Sequence, residues 1–221
     1  MNFLLHRAFA LREGLDPQAG VGAMLPDLWR MADRDVRARP GRGSDALARG
    51  VDHHLEVDRW FHRTDVFVYG ERDLTRALAR LEVPKLGRFG HIGWELCLDG
   101  AWLRREQGGL EALRDDLTAV GVDGAVDAAR AHGAEGLSDA RQARFRETME
   151  RIFQGLAGGW GDGYAEPERL AERIGGIRRR VGLGAVPADK HPALVELLGE
   201  HLERATEALP QLELDRERAC A

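Results

Sequence analysis

The sequence predicts an all-α protein, built as a single-domain helical bundle over residues 1–221. Ala, Leu, Arg, Glu and Asp abound, whereas aromatic and β-branched residues are sparse, and this bias favours helix. Apolar residues recur at helical spacing, and no alternation typical of strands extends beyond a few residues. A chain of 221 residues is long enough to bury a full core as one large domain.

The helices follow from apolar spacing and from the positions of Pro and Gly. They are expected, in chain order, over residues 1–13, 21–36, 46–68, 71–81, 86–105, 110–131, 138–156, 168–181 and 192–209. Pro26 is expected near the first turn of the second helix. Glycine costs about 1 kcal/mol in a helix interior, so the four glycines of 86–105 indicate either close helix approach or a break.

Composition excludes several classes of partner. The net charge of −5 gives the chain no general attraction to nucleic acid. No apolar run approaches the ~18 residues of a membrane span, and the opening residues lack the features of a signal peptide. Cys97 and Cys220 are not expected to form a disulfide. We therefore expect a cytoplasmic protein that binds neither membrane nor nucleic acid.

Histidines and carboxylates stand at helical spacing in two segments. His54, Asp58 and His62 lie at i, i+4 and i+8, so on one helix all three would share a face. His91 and Glu95 repeat the i, i+4 spacing. Such rows favour a metal site inside a helical bundle. The alternative is a polar seam, in which imidazoles bond to carboxylates between helices.

Several other residues allow two interpretations. His53 points about 100° away from His54, which makes it a supporting or surface group rather than a ligand. Asp27, an acid in an apolar stretch, is either a metal ligand or a helix-start carboxylate. His6 is either a ligand or, more commonly for its context, a core histidine. The basic run Arg178–Arg180 either complements a helix dipole or meets a phosphate or an acidic partner.

A set of short motifs runs along nearly the whole chain. Met1–His6 reads Met-Asn-Phe-Leu-Leu-His, and Gly50, His54 and Val57-Asp58 form Gly-x-x-x-His-x-x-Val-Asp. Further elements follow in order: Gly22–Asp27, Trp94-Glu95 through Trp102, Arg144-Phe145, Trp160 with Tyr164, and Arg178–Arg180. Together these motifs resemble the acyl-carrier-protein phosphodiesterase family.

The resemblance implies an HD-domain-like helical fold, a metal-dependent phosphohydrolase activity, Mn as the cofactor, and holo-acyl carrier protein as the substrate. Three kinds of position depart from the family. His91 and Glu95 replace two Asp residues, Leu96 replaces a His, and His62 replaces an Asp. These changes move the donor set from oxygen toward nitrogen, which favours Zn, Fe, Co or Ni over Mn or Mg.

The sequence thus predicts a metal-dependent phosphodiesterase or phosphohydrolase. The predicted metal ligands are His6, Asp27, His54, Asp58, His91 and Glu95. The predicted catalytic residues are Asp58, Glu95 and His62, with Glu95 or His62 acting as a ligand or as the general base. Arg178, Arg179 and Arg180 are predicted to bind phosphate or an acidic carrier-protein surface. A small phosphoester or a nucleotide is as strongly expected as the carrier protein.

Two other classes of function stay open. In the first, the chain is a non-catalytic helical interaction module whose His and Asp rows are polar seams. In the second, it is a helical-bundle metalloprotein with redox or thiol chemistry. The interaction module is distinguished from the hydrolase because it would bind no metal. The redox metalloprotein is distinguished from the hydrolase by the identity of its metal, iron or another transition metal.

Overall fold

A computed structural model describes residues 3–106, 109–134 and 137–220, and all regular secondary structure in these ranges is helical. The all-α prediction is therefore confirmed. The α-helices of these ranges are α1 (Phe3–Arg12), α2 (Pro17–Ala32), α3 (Ala46–Phe61), α4 (Asp65–Arg80), α5 (Gly90–Arg105), α6 (Gly109–His132), α7 (Asp139–Ala157), α8 (Pro167–Arg180) and α9 (His191–Cys220). Met1 and Asn2 of the opening motif lie outside the described residues. None of these helices has the length and apolar character required to cross a bilayer.

The helices group into two compact units. The first unit combines Phe3–Trp60 with Gly108–Gly161, and the second combines Phe61–Gln107 with Asp162–Ala221. The first unit therefore holds α1, α2, most of α3, α6 and α7, and the second holds α4, α5, α8 and α9. The organisation of residues 1–221 as one domain stays a prediction.

Helix α2 begins earlier than the apolar spacing predicts. The Asp16 side chain accepts a hydrogen bond from the Ala19 backbone N–H at 3.0 Å, and Pro17 occupies the first turn. This capping starts the helix four residues before the predicted Val21, because the Asp-Pro pair is a helix start rather than a loop. Pro26 consequently lies inside the helix and not in its first turn, which corrects the prediction.

Glycine brings α2 and α3 into backbone contact within the first unit. A Cβ atom on Gly50 would lie 2.0 Å from the Ala19 carbonyl oxygen and 2.7 Å from the Gly22 Cα. A Cβ on Gly22 would lie 2.4 Å from the Leu47 carbonyl oxygen. Only glycine at both positions allows this approach, and the approach places His54, one turn after Gly50, against α2.

Helix α5 is the central element of the second unit and contacts α4, α8 and α9. A Cβ on Gly90 would lie 1.9 Å from Thr75 Oγ1, and one on Gly100 would lie 2.1 Å from the Tyr164 carbonyl oxygen. Close helix approach is thus one reason for the glycines of 86–105. The predicted break is also present, because Leu86–Phe89 forms a 3-10 turn before α5 begins.

The predicted helix over 46–68 is in fact two helices. Helix α3 ends at Phe61, and α4 begins at Asp65 instead of at the predicted Glu71. Thr64 causes the break, because its hydroxyl donates to the Phe61 carbonyl at 2.8 Å and accepts from the Phe67 N–H at 3.2 Å. His62 therefore lies in the turn between the helices rather than on the α3 face, which corrects the predicted row of three.

We expect Thr64→Ala to lower the free energy of unfolding by about 1–2 kcal/mol, because it removes the N-cap of α4. Denaturant unfolding followed by circular dichroism measures this change. Thr118→Ala is the control, since that hydroxyl bonds only to the Arg114 carbonyl on the exposed face of α6 and should change stability by less than about 0.5 kcal/mol. Equal effects of the two variants would contradict the capping role.

The later helices follow the predicted spacing, with two differences. Helix α6 contains a non-helical residue, Gly121, with φ 65° and ψ 170°. Helix α9 continues to Cys220, beyond the predicted end at Leu209, and has Pro210 in its interior. A proline inside a helix removes one backbone hydrogen bond and bends the helix without always ending it.

Candidate metal centres

Two groups of His and carboxylate side chains are close enough to hold a metal ion, among the residues the structure describes. The His54 cluster consists of His6, His54 and Asp58, in the first unit, and the His91 cluster consists of His62, His91 and Glu95, in the second. Within each cluster the ligand atoms lie within 4.8 Å of one another. Each cluster offers two imidazoles and one carboxylate.

The two imidazoles of the His54 cluster are buried in the first unit, and Asp58 is half-buried. The exposed fractions of His6 and His54 are 1% and 4%, and their rings lie 3.9 Å apart between centroids. His54 Nδ1 is 2.8 Å from the Ala23 carbonyl oxygen, which only accepts, so Nδ1–H donates this bond. In that tautomer the lone pair belongs to Nε2, the nitrogen that is suited to ligate a metal.

The i, i+4 spacing brings Asp58 to the same cluster as His54, as the sequence predicts for one helix face. His6 joins them from α1 and belongs to this candidate group, while its role as a ligand stays a prediction. Asp27 lies half-buried on α2 and belongs to neither cluster among the described residues. Its role as a ligand stays a prediction.

The His91 cluster is partly open to solvent. The side-chain exposed fractions are 49% for His91, 29% for His62 and 6% for Glu95. His62 Nε2 and His91 Nε2 each lie 3.2 Å from the same oxygen, Glu95 Oε1. The two imidazole rings stack, with centroids 5.0 Å apart and planes at 25°. Both imidazole nitrogens therefore approach the same carboxylate oxygen.

The spacing of these donors fits a metal ion. A tetrahedral zinc site with metal–ligand bonds of about 2.0–2.1 Å places neighbouring donor atoms about 3.3 Å apart. Both imidazole–carboxylate distances in the His91 cluster are close to that separation, and they equally suit hydrogen bonds, such as the one between His62 Nε2 and Glu95 Oε1. Three protein donors also leave at least one position for water or substrate, which is typical of catalytic rather than structural zinc sites.

Aromatic and acidic neighbours surround His91. The Phe67 ring meets the His62 and His91 rings edge-on, with centroids 4.5 and 5.0 Å away. Glu71 Oε1 lies 3.3 Å from His91 Nδ1. Burial lowers the pKa of His91, and the opposing charge of Glu71 raises it. A lowered pKa keeps the imidazole neutral to a lower pH, and the neutral imidazole is the form that binds metals.

His53 does not join the His54 cluster, in agreement with its predicted direction. Its Nε2 lies 3.1 Å from Glu13 Oε2, just after the end of α1. Cys97 is fully buried, and burial raises the pKa of its thiol to about 12. Burial and a raised pKa are typical of a packing group rather than of a reactive thiol.

The three arginines at the end of α8 differ in their exposure to solvent. Arg178 is buried, and its guanidinium donates to the Pro84 carbonyl at 2.9 Å and to the Leu183 carbonyl at 3.0 Å. It therefore ties two loop segments together instead of meeting a substrate, contrary to its predicted role. Arg179 and Arg180 are exposed, and their predicted binding of phosphate stays a prediction.

Sequence reasoning missed Glu71 and Phe67 as parts of the site. Both lie on α4, and their distance in sequence from His91 leaves no spacing signal. They reach His91 because α4 packs against α5. Comparisons with protein-family models, with curated proteins and with solved structures gave no match.

Proposed function

We propose that the chain is a metal-dependent phosphoester hydrolase whose catalytic metal is held by His62, His91 and Glu95. The observation that carries the proposal is the convergence of two imidazole nitrogens on one buried carboxylate oxygen at a partly exposed position. The motif resemblance supports phosphoesters as the substrate class, and the all-helical fold is compatible with an HD-domain-like arrangement.

The residues of the His91 cluster have distinct tasks in this reaction. A divalent metal bound there would polarise a phosphoryl oxygen and lower the pKa of a water molecule. Glu95, buried at the base of the cluster, would be the carboxylate ligand beside the two imidazoles, with its Oε1 3.2 Å from each Nε2. The exposed edge of His91 leaves the approach of a phosphoester open. Arg179 and Arg180, exposed at the end of α8, are the basic residues proposed to meet the phosphate or a carrier protein.

The His54 cluster would hold a second ion in a different environment. Its imidazoles are almost fully buried, so an ion there would mainly stabilise the first unit. His54→Ala should then reduce the stability that the metal adds to the folded protein. Changes at His91, by contrast, should reduce turnover. Asp58 remains the predicted carboxylate partner of this cluster.

The test is a phosphoesterase assay of the full chain, loaded in turn with Mn, Mg, Zn, Fe, Co and Ni. The substrates are a nitrophenyl phosphate, a bis-nitrophenyl phosphate and holo-acyl carrier protein. We expect turnover with one metal and a loss of about 100-fold or more in His91→Ala and Glu95→Gln, the scale of removing one positioned catalytic group. His191→Ala is the control, because His191 begins α9 and belongs to neither cluster. Equal turnover in all variants would exclude the site.

One observation favours a second candidate function. Both clusters contain two His and one carboxylate, the ligand set of non-haem Fe(II) oxygenases. An iron-dependent redox protein with this set would, once loaded with Fe(II), consume O2 when a co-substrate is supplied. Anaerobic Fe(II) loading followed by oxygen-electrode measurements separates it from the hydrolase, which would consume no O2.

A further inference from the structure

His91 lies between two carboxylates, each of which is close to a different nitrogen of its ring. Glu95 Oε1, on the same helix, is 3.2 Å from Nε2, and Glu71 Oε1, on α4, is 3.3 Å from Nδ1. Glu95 is a member of the ligand group, whereas Glu71 is outside it. The ring is also confined by Phe67 on its edge and by His62 on its face.

We propose that Glu71 is a positioning residue, which holds His91 in the tautomer that presents Nε2 to the metal; this inference rests on the proposed function. A neutral imidazole has one N–H and one lone pair, so ligation through Nε2 requires the proton on Nδ1. Glu71 Oε1, 3.3 Å from Nδ1, is the acceptor placed for that proton. A carboxylate behind a metal-bound histidine fixes the ring orientation and makes the ligating nitrogen a stronger donor.

The backbone that carries Glu71 is held firmly against α5. A Cβ on the preceding residue, Gly70, would lie 2.0 Å from Trp94 Cε2, so the indole packs directly on the α4 backbone. The same indole donates from Nε1 to the Val66 carbonyl oxygen at 3.1 Å. These contacts hold the α4 backbone beside Glu71 against α5, and they involve neither the Glu71 nor the His91 side chain.

The experiment compares Glu71→Ala and Glu71→Gln with the full-length wild-type chain. Glu71→Ala removes the acceptor, whereas Glu71→Gln keeps a neutral acceptor in nearly the same place. The matched control is Glu207→Ala, since Glu207 is exposed on α9. Zinc affinity is measured by competition with a chromophoric chelator, and the site of the His91 proton is read from the ring nitrogen resonances of zinc-loaded protein.

We expect Glu71→Ala to weaken zinc binding roughly 10- to 100-fold, with Glu71→Gln recovering part of the loss. We also expect a His91 Nδ1–H signal in wild-type protein that is broadened or absent in Glu71→Ala. If Glu71→Ala changed neither the zinc affinity nor the Nδ1–H signal, the inference would be overturned and the hydrolase proposal would stand. Zinc binding that depends on Glu71 in a protein without phosphoesterase activity would support the inference and reject the hydrolase. A chain that binds no metal would overturn both.

Discussion

Addition of a binding divalent metal to chelator-stripped protein should raise Tm by about 5–10 °C for each site that it fills. An ion at a hundredfold excess over Kd, bound only by the folded state, adds about 2.7 kcal/mol of stability, and a chain of this size gains about 2–4 °C per kcal/mol. His6 and His54 are buried, so their cluster exists only in the folded first unit. We expect His54→Ala and His91→Ala each to reduce the increment, and the double variant to remove it.

The increment, rather than the absolute Tm, is the quantity to compare between variants. His54→Ala also deletes the hydrogen bond to the Ala23 carbonyl and will lower the Tm of the metal-free protein. Asp58→Asn keeps the side-chain volume and removes only the charge of the ligand, which makes it the sharper variant of the same cluster. His191→Ala should keep the full increment. No increment with any metal would leave the polar seam, and with it the helical interaction module, as the better interpretation.

Helical periodicity is sufficient to predict the pairs that share one helix. His54 and Asp58 lie on α3, and His91 and Glu95 lie on α5, each four residues apart, and each pair falls within one cluster. This succeeds because side chains at i and i+4 point in nearly the same direction whatever packs against the helix. The all-α prediction succeeds for a related reason, since helix propensity and apolar spacing agree along most of the chain.

The remaining features depend on contacts that sequence spacing does not record. His62 leaves the α3 face because one hydroxyl, that of Thr64, ends one helix and caps the next. Glu71 approaches His91 only because α4 packs against α5. Arg178 and Arg179 are neighbours in sequence, yet a 100° step on the helix buries one and exposes the other. Charge alone therefore did not reveal which arginine is available to a phosphate.

Gly50→Ala should be among the most damaging single-methyl additions to the first unit. The new Cβ would lie 2.0 Å from the Ala19 carbonyl oxygen and 2.7 Å from the Ala23 nitrogen, and backbone atoms cannot rotate away as a side chain can. Helix α3 must then move away from α2, at a cost of about 1–3 kcal/mol or more. The same movement lengthens the 2.8 Å bond from His54 to the Ala23 carbonyl, so metal affinity at the His54 cluster should fall although no ligand has changed.

Gly199→Ala is the matched control, since it adds the same methyl group inside helix α9, where the Cβ would meet Pro167 at an ordinary 3.5 Å. Removing a helix-interior glycine without a clash should stabilise the protein by about 0.5–1 kcal/mol. Denaturant unfolding and zinc titration of both variants test whether the α2–α3 contact positions His54. Gly50→Ala could instead show the same stability as Gly199→Ala and the same zinc affinity as the wild type. In that case, close packing of α2 on α3 would not be what orients His54. A joint loss of stability and metal affinity, confined to Gly50→Ala, would tie the ligand geometry to two glycines that carry no donor atom of their own.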